Sequence, residues 1–194
     1  MKTAPLTRLL AVTGFALTAA IGIAATRVTA ATAPAPAHRP SVERGAYLVK
    51  TMMCNDCHTP WTMGPKGPEP DMTRALTGHP DALKMPPAPT LPAGPWVGVM
   101  SASMTAWAGP WGVSFTANLT PDKETGLGDW TEDMFIKTMR TGLRQGKGRA
   151  LLPPMPWSMI GQLSDDDLKD MFAYLQSLAP VHNRVPEPVP PTEH

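Results

Sequence analysis

The pentapeptide Cys54-Asn55-Asp56-Cys57-His58 holds the only two cysteines of the chain and a histidine directly after the second. Thiols and an imidazole at this spacing serve a short list of chemistries. A disulfide across two intervening residues is mostly a redox motif, and it needs a preceding strand in an alternating strand and helix pattern, which this sequence lacks. A zinc site needs two more ligands at metal-binding spacing, and none is apparent. The third chemistry is covalent attachment of haem through Cys-x-x-Cys-His. Its spacing has a mechanical reason. The two thiols must reach two vinyl groups on one porphyrin edge while the next side chain turns beneath the iron, so that His58 supplies the proximal nitrogen.

The sixth ligand then decides what the iron can do. Histidine on one side and methionine on the other leave no vacant position for oxygen or substrate, and the thioether raises the reduction potential. The stretch "LLPPMPWSMIG", residues 151–161, offers Met155 and Met159. Leu152, Pro153 and Met155 each precede a proline and are pushed toward extended backbone. A soft sulfur on so stiff a loop loses little entropy on coordination. Met155 is therefore the first candidate, ahead of Met159 and of His79, His182 and His194. The turn context of His79 and the position of His182 past the last helix suggest surface roles for both.

These side chains need elements to position them. Residues 1–30 begin with Lys2 and Arg8, run uncharged from Leu9 to Thr26 and end in small residues, a pattern of an export signal with cleavage near Ala30. An uncleaved membrane anchor is the alternative. Removing that segment takes the formal charge from +1 to −2, which excludes a nucleic-acid partner. An Ala/Pro-rich linker follows over 31–40, a single domain over 41–180 and a Pro-rich tail over 181–194.

Three helices have identifiable causes. One runs from about Ser41 to Met53 with Val42, Ala46, Val49 and Met53 on one face and Gly45 permitting close approach of a second helix. A second starts at Thr131 as N-cap, with Trp130 and Phe135 as a hydrophobic staple, and ends near Arg140 to Gly142. The third starts at Ser164, carries Asp165, Asp166 and Asp167 at the positive end of its dipole, and stops before Pro180. Between them, residues 59–117 form an insertion too rich in proline for regular helix and too apolar for a disordered linker. It reads as a long irregular loop packed on something. Its tryptophans are candidate walls of a haem crevice.

The order "RGAYLV", "CNDCH", "NLTPDKETGLGDW", "LLPPMPW" and "DLKDMFAYLQSL" resembles the class I c-type cytochromes, in particular the bacterial periplasmic group that includes cytochrome subunits of alcohol and gluconate dehydrogenases. The likeness covers about residues 41–186. It implies an all-α fold whose first and last helices cross near Gly45 and Tyr174, with haem ligands His58 and Met155. It also carries Trp130 and Arg140 over as contacts to the haem propionates. A single Cys-x-x-Cys-His limits covalent attachment to one haem c, through Cys54 and Cys57. The expected role is electron transfer in the periplasm, from a dehydrogenase to an oxidase or another cytochrome, with no catalysis by the chain itself. Two alternatives remain at this point: a haem enzyme or small-ligand sensor with an open sixth position, and a cytochrome subunit bound tightly in a dehydrogenase complex.

Overall fold

In the computed structural model, which describes residues 38–191, helix α1 (Val42–Thr51) begins where Ser41 Oγ accepts a hydrogen bond from Arg44 N. Its buried residues are Gly45, Leu48 and Val49. That face differs from the one the periodicity favours, because Val42 and Met53 are exposed and Met53 already lies beyond the helix, in the left-handed region. The five residues Cys54–His58 form helix α2 directly after it. Helix α3 (Glu132–Thr141) is capped by Thr131, whose side chain accepts from Met134 N, and ends at Gly142 with φ 70°. A short helix α4 (Trp157–Ile160) and helix α5 (Asp165–Ser177) complete the set, α5 being capped by Ser164.

Helices α1 and α5 cross at Gly45. A Cβ placed there would lie 1.9 Å from Asp170 O and 2.8 Å from Tyr174 Cβ, so only glycine lets the two backbones come this close. Asp170, itself buried, ties the crossing: its Oδ1 accepts from Ser41 N at 2.7 Å and lies 2.8 Å from His38 Nε2. Around this crossing the core gathers Leu48, Val49, Phe135, Met139, Ile160, Leu168, Met171, Phe172 and Leu175. Phe135 and Phe172 meet with ring centroids 5.5 Å apart.

The expectation of an all-α fold is overturned by residues 61–115, which hold two small antiparallel sheets. Strands β1 (Trp61–Gly64) and β2 (Gly67–Pro70) form a hairpin. Strands β3 (Val99–Met100), β4 (Ala106–Gly109) and β5 (Gly112–Phe115) form a three-stranded sheet in that order. The fold is mixed α and β. The physical reason is that an apolar segment barred from helix by proline must still pair its buried amides and carbonyls, and short hairpins with glycine beside their turns can do so. Proline is tolerated in β2 because a two-stranded hairpin has only edge strands.

The C-terminal segment holds this insertion in place. Asn183 Nδ2 donates to Thr77 O and His79 O at 2.7 and 2.9 Å, while its Oδ1 accepts from Asp81 N. Further on, Val189 pairs with Val113 through two backbone hydrogen bonds. The export-signal reading of residues 1–30 and most of the linker reading lie outside the described residues. Among the described residues, no helix is long and apolar enough to cross a membrane.

Candidate haem site

Helix α2 places Cys54, Cys57 and His58 on a single short turn. The two thiols are unbridged. Burial pushes the Cys54 thiol up to about 11, and burial followed by the charge of Asp56 raises Cys57 as well. Reactive dithiols have depressed values and sit in electropositive surroundings, so this pair is not poised for thiol exchange. Thr59 and Trp61 clasp the turn: Thr59 Oγ1 donates to Asn55 Oδ1 and accepts from Leu76 N, and Trp61 Nε1 donates to Asp56 O.

His58 is buried, and its Nδ1 lies 2.8 Å from Ala117 O. A carbonyl can only accept, so Nδ1 carries the proton. Nε2 is left as a bare lone pair with no hydrogen-bond partner among the described residues. Burial also holds the imidazole pKa down. A neutral, oriented ring with its far nitrogen fixed by a backbone oxygen is the state a metal-binding histidine requires. Gly78 makes room for it. With φ 78°, a Cβ there would lie 2.5 to 2.6 Å from Thr116 O and from the C and O of Ala117, so a side chain would displace the carbonyl that orients His58.

The methionine loop is anchored at both ends. Leu151 N donates to Gly142 O, and the Trp157 ring lies against Gly142. From the insertion, Ser114 Oγ donates to Pro153 O at 2.6 Å. Met155 is half-buried and packed against the core, whereas Met159 is 66% exposed on α4.

Trp130 is half-buried and packs on the core, as a staple residue should. Arg140 donates to Gly161 O and Asp165 Oδ1. The arginine that stands over the Trp130 ring is Arg144, 5.6 Å from the ring centroid. His79 departs from the surface role suggested by its turn: it is fully buried, with Nδ1 on Thr105 Oγ1 and Nε2 on Leu83 O. His182 is exposed near Asp122. His194 lies outside the described residues.

Three fully buried polar atoms have no partner among the described residues: Trp107 Nε1, Trp111 Nε1 and Thr116 Oγ1. Burying a donor without an acceptor costs about 1 to 3 kcal/mol, and no polar atom of the described residues offsets that cost here. The donor set fits haem c, with an imidazole for iron and two thiols for vinyl carbons. Sequence reasoning did not single out Ala117, Ser114 or Arg144. No motif announces a backbone acceptor or a cross-strand neighbour.

An apolar groove of about 950 Å³ lies elsewhere, between residues 85–97, strands β4 and β5 and residues 189–191. It uses the opposite face of the sheet, that of Ala108, Val113 and Phe115. Trp96, at its margin, is 77% exposed.

No family model matches the chain. Curated relatives do. The fructose dehydrogenase cytochrome subunit of Gluconobacter japonicus is 31% identical over 144 residues, covering 74% of this chain and 22% of the relative. The cytochrome c subunit of the quinone alcohol dehydrogenase of Gluconobacter oxydans is 30% identical over 177 residues, 90% of this chain and 29% of the relative. The gluconate 2-dehydrogenase cytochrome c subunit of Pantoea cypripedii is 32% identical over 141 residues, 72% and 24% respectively. The chain thus spans under a third of the length of each. The Cys-x-x-Cys-His turn, the bare imidazole nitrogen and a likeness running through most of the chain agree: it belongs to the bacterial c-type cytochromes.

Proposed function

We propose that this chain is a one-haem electron carrier, with haem c attached through Cys54 and Cys57 and its iron held between His58 Nε2 and Met155 sulfur. The observation that carries the reading is the His58 ring, locked by Ala117 O with its other nitrogen free, one residue after the second thiol. In each attachment a Cys sulfur forms a bond to a vinyl carbon and the thiol hydrogen ends on the neighbouring carbon, so no oxidant is needed. When bound, haem supplies an iron that moves between ferric and ferrous states by one electron. Met155 sulfur would be the second protein ligand of that iron, which favours electron transfer over ligand or substrate binding. The loop that would hold it is anchored by Leu151 N to Gly142 O and by Ser114 Oγ to Pro153 O. Its half-buried position against the core supports Met155 over the exposed Met159.

The relatives' names favour a dehydrogenase as electron donor, with an oxidase or another cytochrome as acceptor. Export through the leader read in residues 1–30 places the chain in the periplasm, and a retained leader would tether it to the membrane. The rival reading, a haem enzyme or sensor with an open sixth position, is separated by one experiment. Reduced holoprotein at neutral pH is expected not to bind carbon monoxide rapidly; fast stoichiometric binding would establish the rival. The weak far-red band of sulfur on ferric iron should vanish in Met155→Ala and survive in Met159→Ala, and the reverse result would transfer the ligand role to Met159.

A further inference from the structure

His79 has no part in the site above, yet its ring is buried with both nitrogens engaged. Nε2 lies 3.0 Å from Leu83 O, and a carbonyl can only accept, so that nitrogen carries the proton of the neutral ring. Nδ1 then accepts from the Thr105 hydroxyl at 2.9 Å. Behind Thr105 stand two more hydroxyls, Ser103 Oγ at 2.8 Å and Ser101 Oγ 2.9 Å further on. Thr105 is fully buried whereas Ser103 and Ser101 are half-buried, so the row runs from the interior to the surface. Each hydroxyl can both donate and accept. Reversing the three O–H groups turns Nδ1 from acceptor to donor without moving a heavy atom, so both ring nitrogens stay bonded whether His79 is neutral or protonated.

The same residue is tied to the haem turn through the backbone. His79 N donates to Thr116 O, Gly78 N donates to His58 O, and Ala117 O orients the His58 ring. Thr77, Gly78 and His79 are all buried, and a change of charge is felt further through protein than through water. No carboxylate pairs with His79 among the described residues. From Met85 to Pro121 the chain carries no charged side chain, and Lys84 opposes a cation on the ring. On the other neighbouring elements, Asp71 pairs with Arg74, Asp122 lies beside His182 and Glu124 beside Arg184, while Asp56 and Asp81 are exposed. With no fixed counter-charge at the ring, the charge on the iron is free to decide its protonation.

We propose that His79 is a redox-linked proton site, whose Nδ1 gains a proton through Ser101, Ser103 and Thr105 when the haem iron gains an electron. The electron comes from a one-electron donor and converts ferric to ferrous iron. The proton comes from solvent water and binds the Ser101 oxygen. Each O–H bond of the row then breaks and re-forms one place inward, and the last proton makes a new N–H bond at Nδ1. The protein gains one electron and one proton, and the added negative charge at the iron is met by a cation in the wall beside it.

The assignment rests on the haem reading, and the two fail differently. A chain that binds no haem fails a covalent haem stain on a denaturing gel, whereas a stained protein with a pH-independent potential sinks only the proton site. Burial holds the His79 pKa below the ordinary 6.5, and reduction of the iron is expected to raise it. The reduction potential of the holoprotein should therefore fall as pH rises between the ferric and the ferrous pKa. The steepest slope open to it is about 59 mV per tenfold change in proton concentration, the one-electron limit. His79→Gln is expected to abolish that slope; a slope that survives belongs to other groups and overturns the proposal. If His79→Gln does not accumulate, the imidazole is followed by nuclear magnetic resonance in the unsubstituted holoprotein, assigned from its contacts with the Phe115 ring, 4.8 Å away between centroids. A higher pKa in the ferrous than in the ferric protein is expected, and equal values overturn the proposal. Ser103→Ala interrupts the row and should slow proton uptake after a pulse of reductant, read with an indicator dye; an undiminished rate overturns the route.

Discussion

At the scale of single residues, the site depends on side chains that bond to backbone carbonyls. Ser114 Oγ to Pro153 O is one such bond; its loss in Ser114→Ala is expected to lower stability by about 1 kcal/mol in urea unfolding of the holoprotein. The same change frees the methionine loop and should weaken the far-red band without abolishing it. His79 supplies a pH effect of definite sign. Burial is the main cause that holds its pKa below the ordinary 6.5, with hydrogen bonds to Leu83 and Thr105 opposing and Lys84 adding slightly. Below pH 6.5 the unfolded chain therefore binds protons that the folded chain refuses, and stability falls as pH drops. Urea midpoints measured from pH 7.5 to 5 should show this decline, and His79→Gln should flatten it. With the proposed ligation, His58 would add nothing to that slope in the holoprotein, because its free nitrogen would be taken by iron.

At the scale of elements, the three longer helices were legible and the sheets were not. Ser41, Thr131 and Ser164 each accept from the backbone N–H three residues on, the geometry an N-cap serine or threonine favours. Those caps and the apolar spacing sufficed. The strands are two to four residues long, too short for alternation to register, and Gly67, Pro68 and Pro70 read as turn residues although they sit in a hairpin. The Cys54–His58 turn stood out because the chain has only two cysteines and their spacing is chemical. Ala117, whose contribution is a carbonyl oxygen, left no mark in its residue type. The crossing at Gly45 was legible from a lone glycine in a helical pattern. Gly45→Ala should force α1 and α5 apart, since the added Cβ falls on Asp170 O; a cost of about 3 kcal/mol is expected from overpacking, read as a lower melting temperature with an unchanged haem spectrum.

At the scale of the whole molecule, the five helices and two small sheets of the described residues surround a core to which helices contribute most of the side chains, and the insertion joins the Cys54–His58 turn through Thr59, Leu76 and Ala117. Haem bound at that turn is expected to order the tertiary packing around it. The double variant Cys54→Ser with Cys57→Ser, purified without haem, should keep much of its far-ultraviolet helical signal and lose the near-ultraviolet signal of its tryptophans. The relatives are about three times as long as this chain, so its partner is best sought by affinity capture of tagged holoprotein from its own source, with a dehydrogenase expected in the eluate.

The clasp at Asn183 also bears on timing. Its hydrogen bonds close loops of 104 and 106 residues back to His79 and Thr77. A chain made from its N-terminus has the Cys54–His58 turn long before it has Asn183. For that interval the wall beside the thiols is unlatched, giving a rigid planar group room to enter sideways. Asn183, arriving later, then closes that wall.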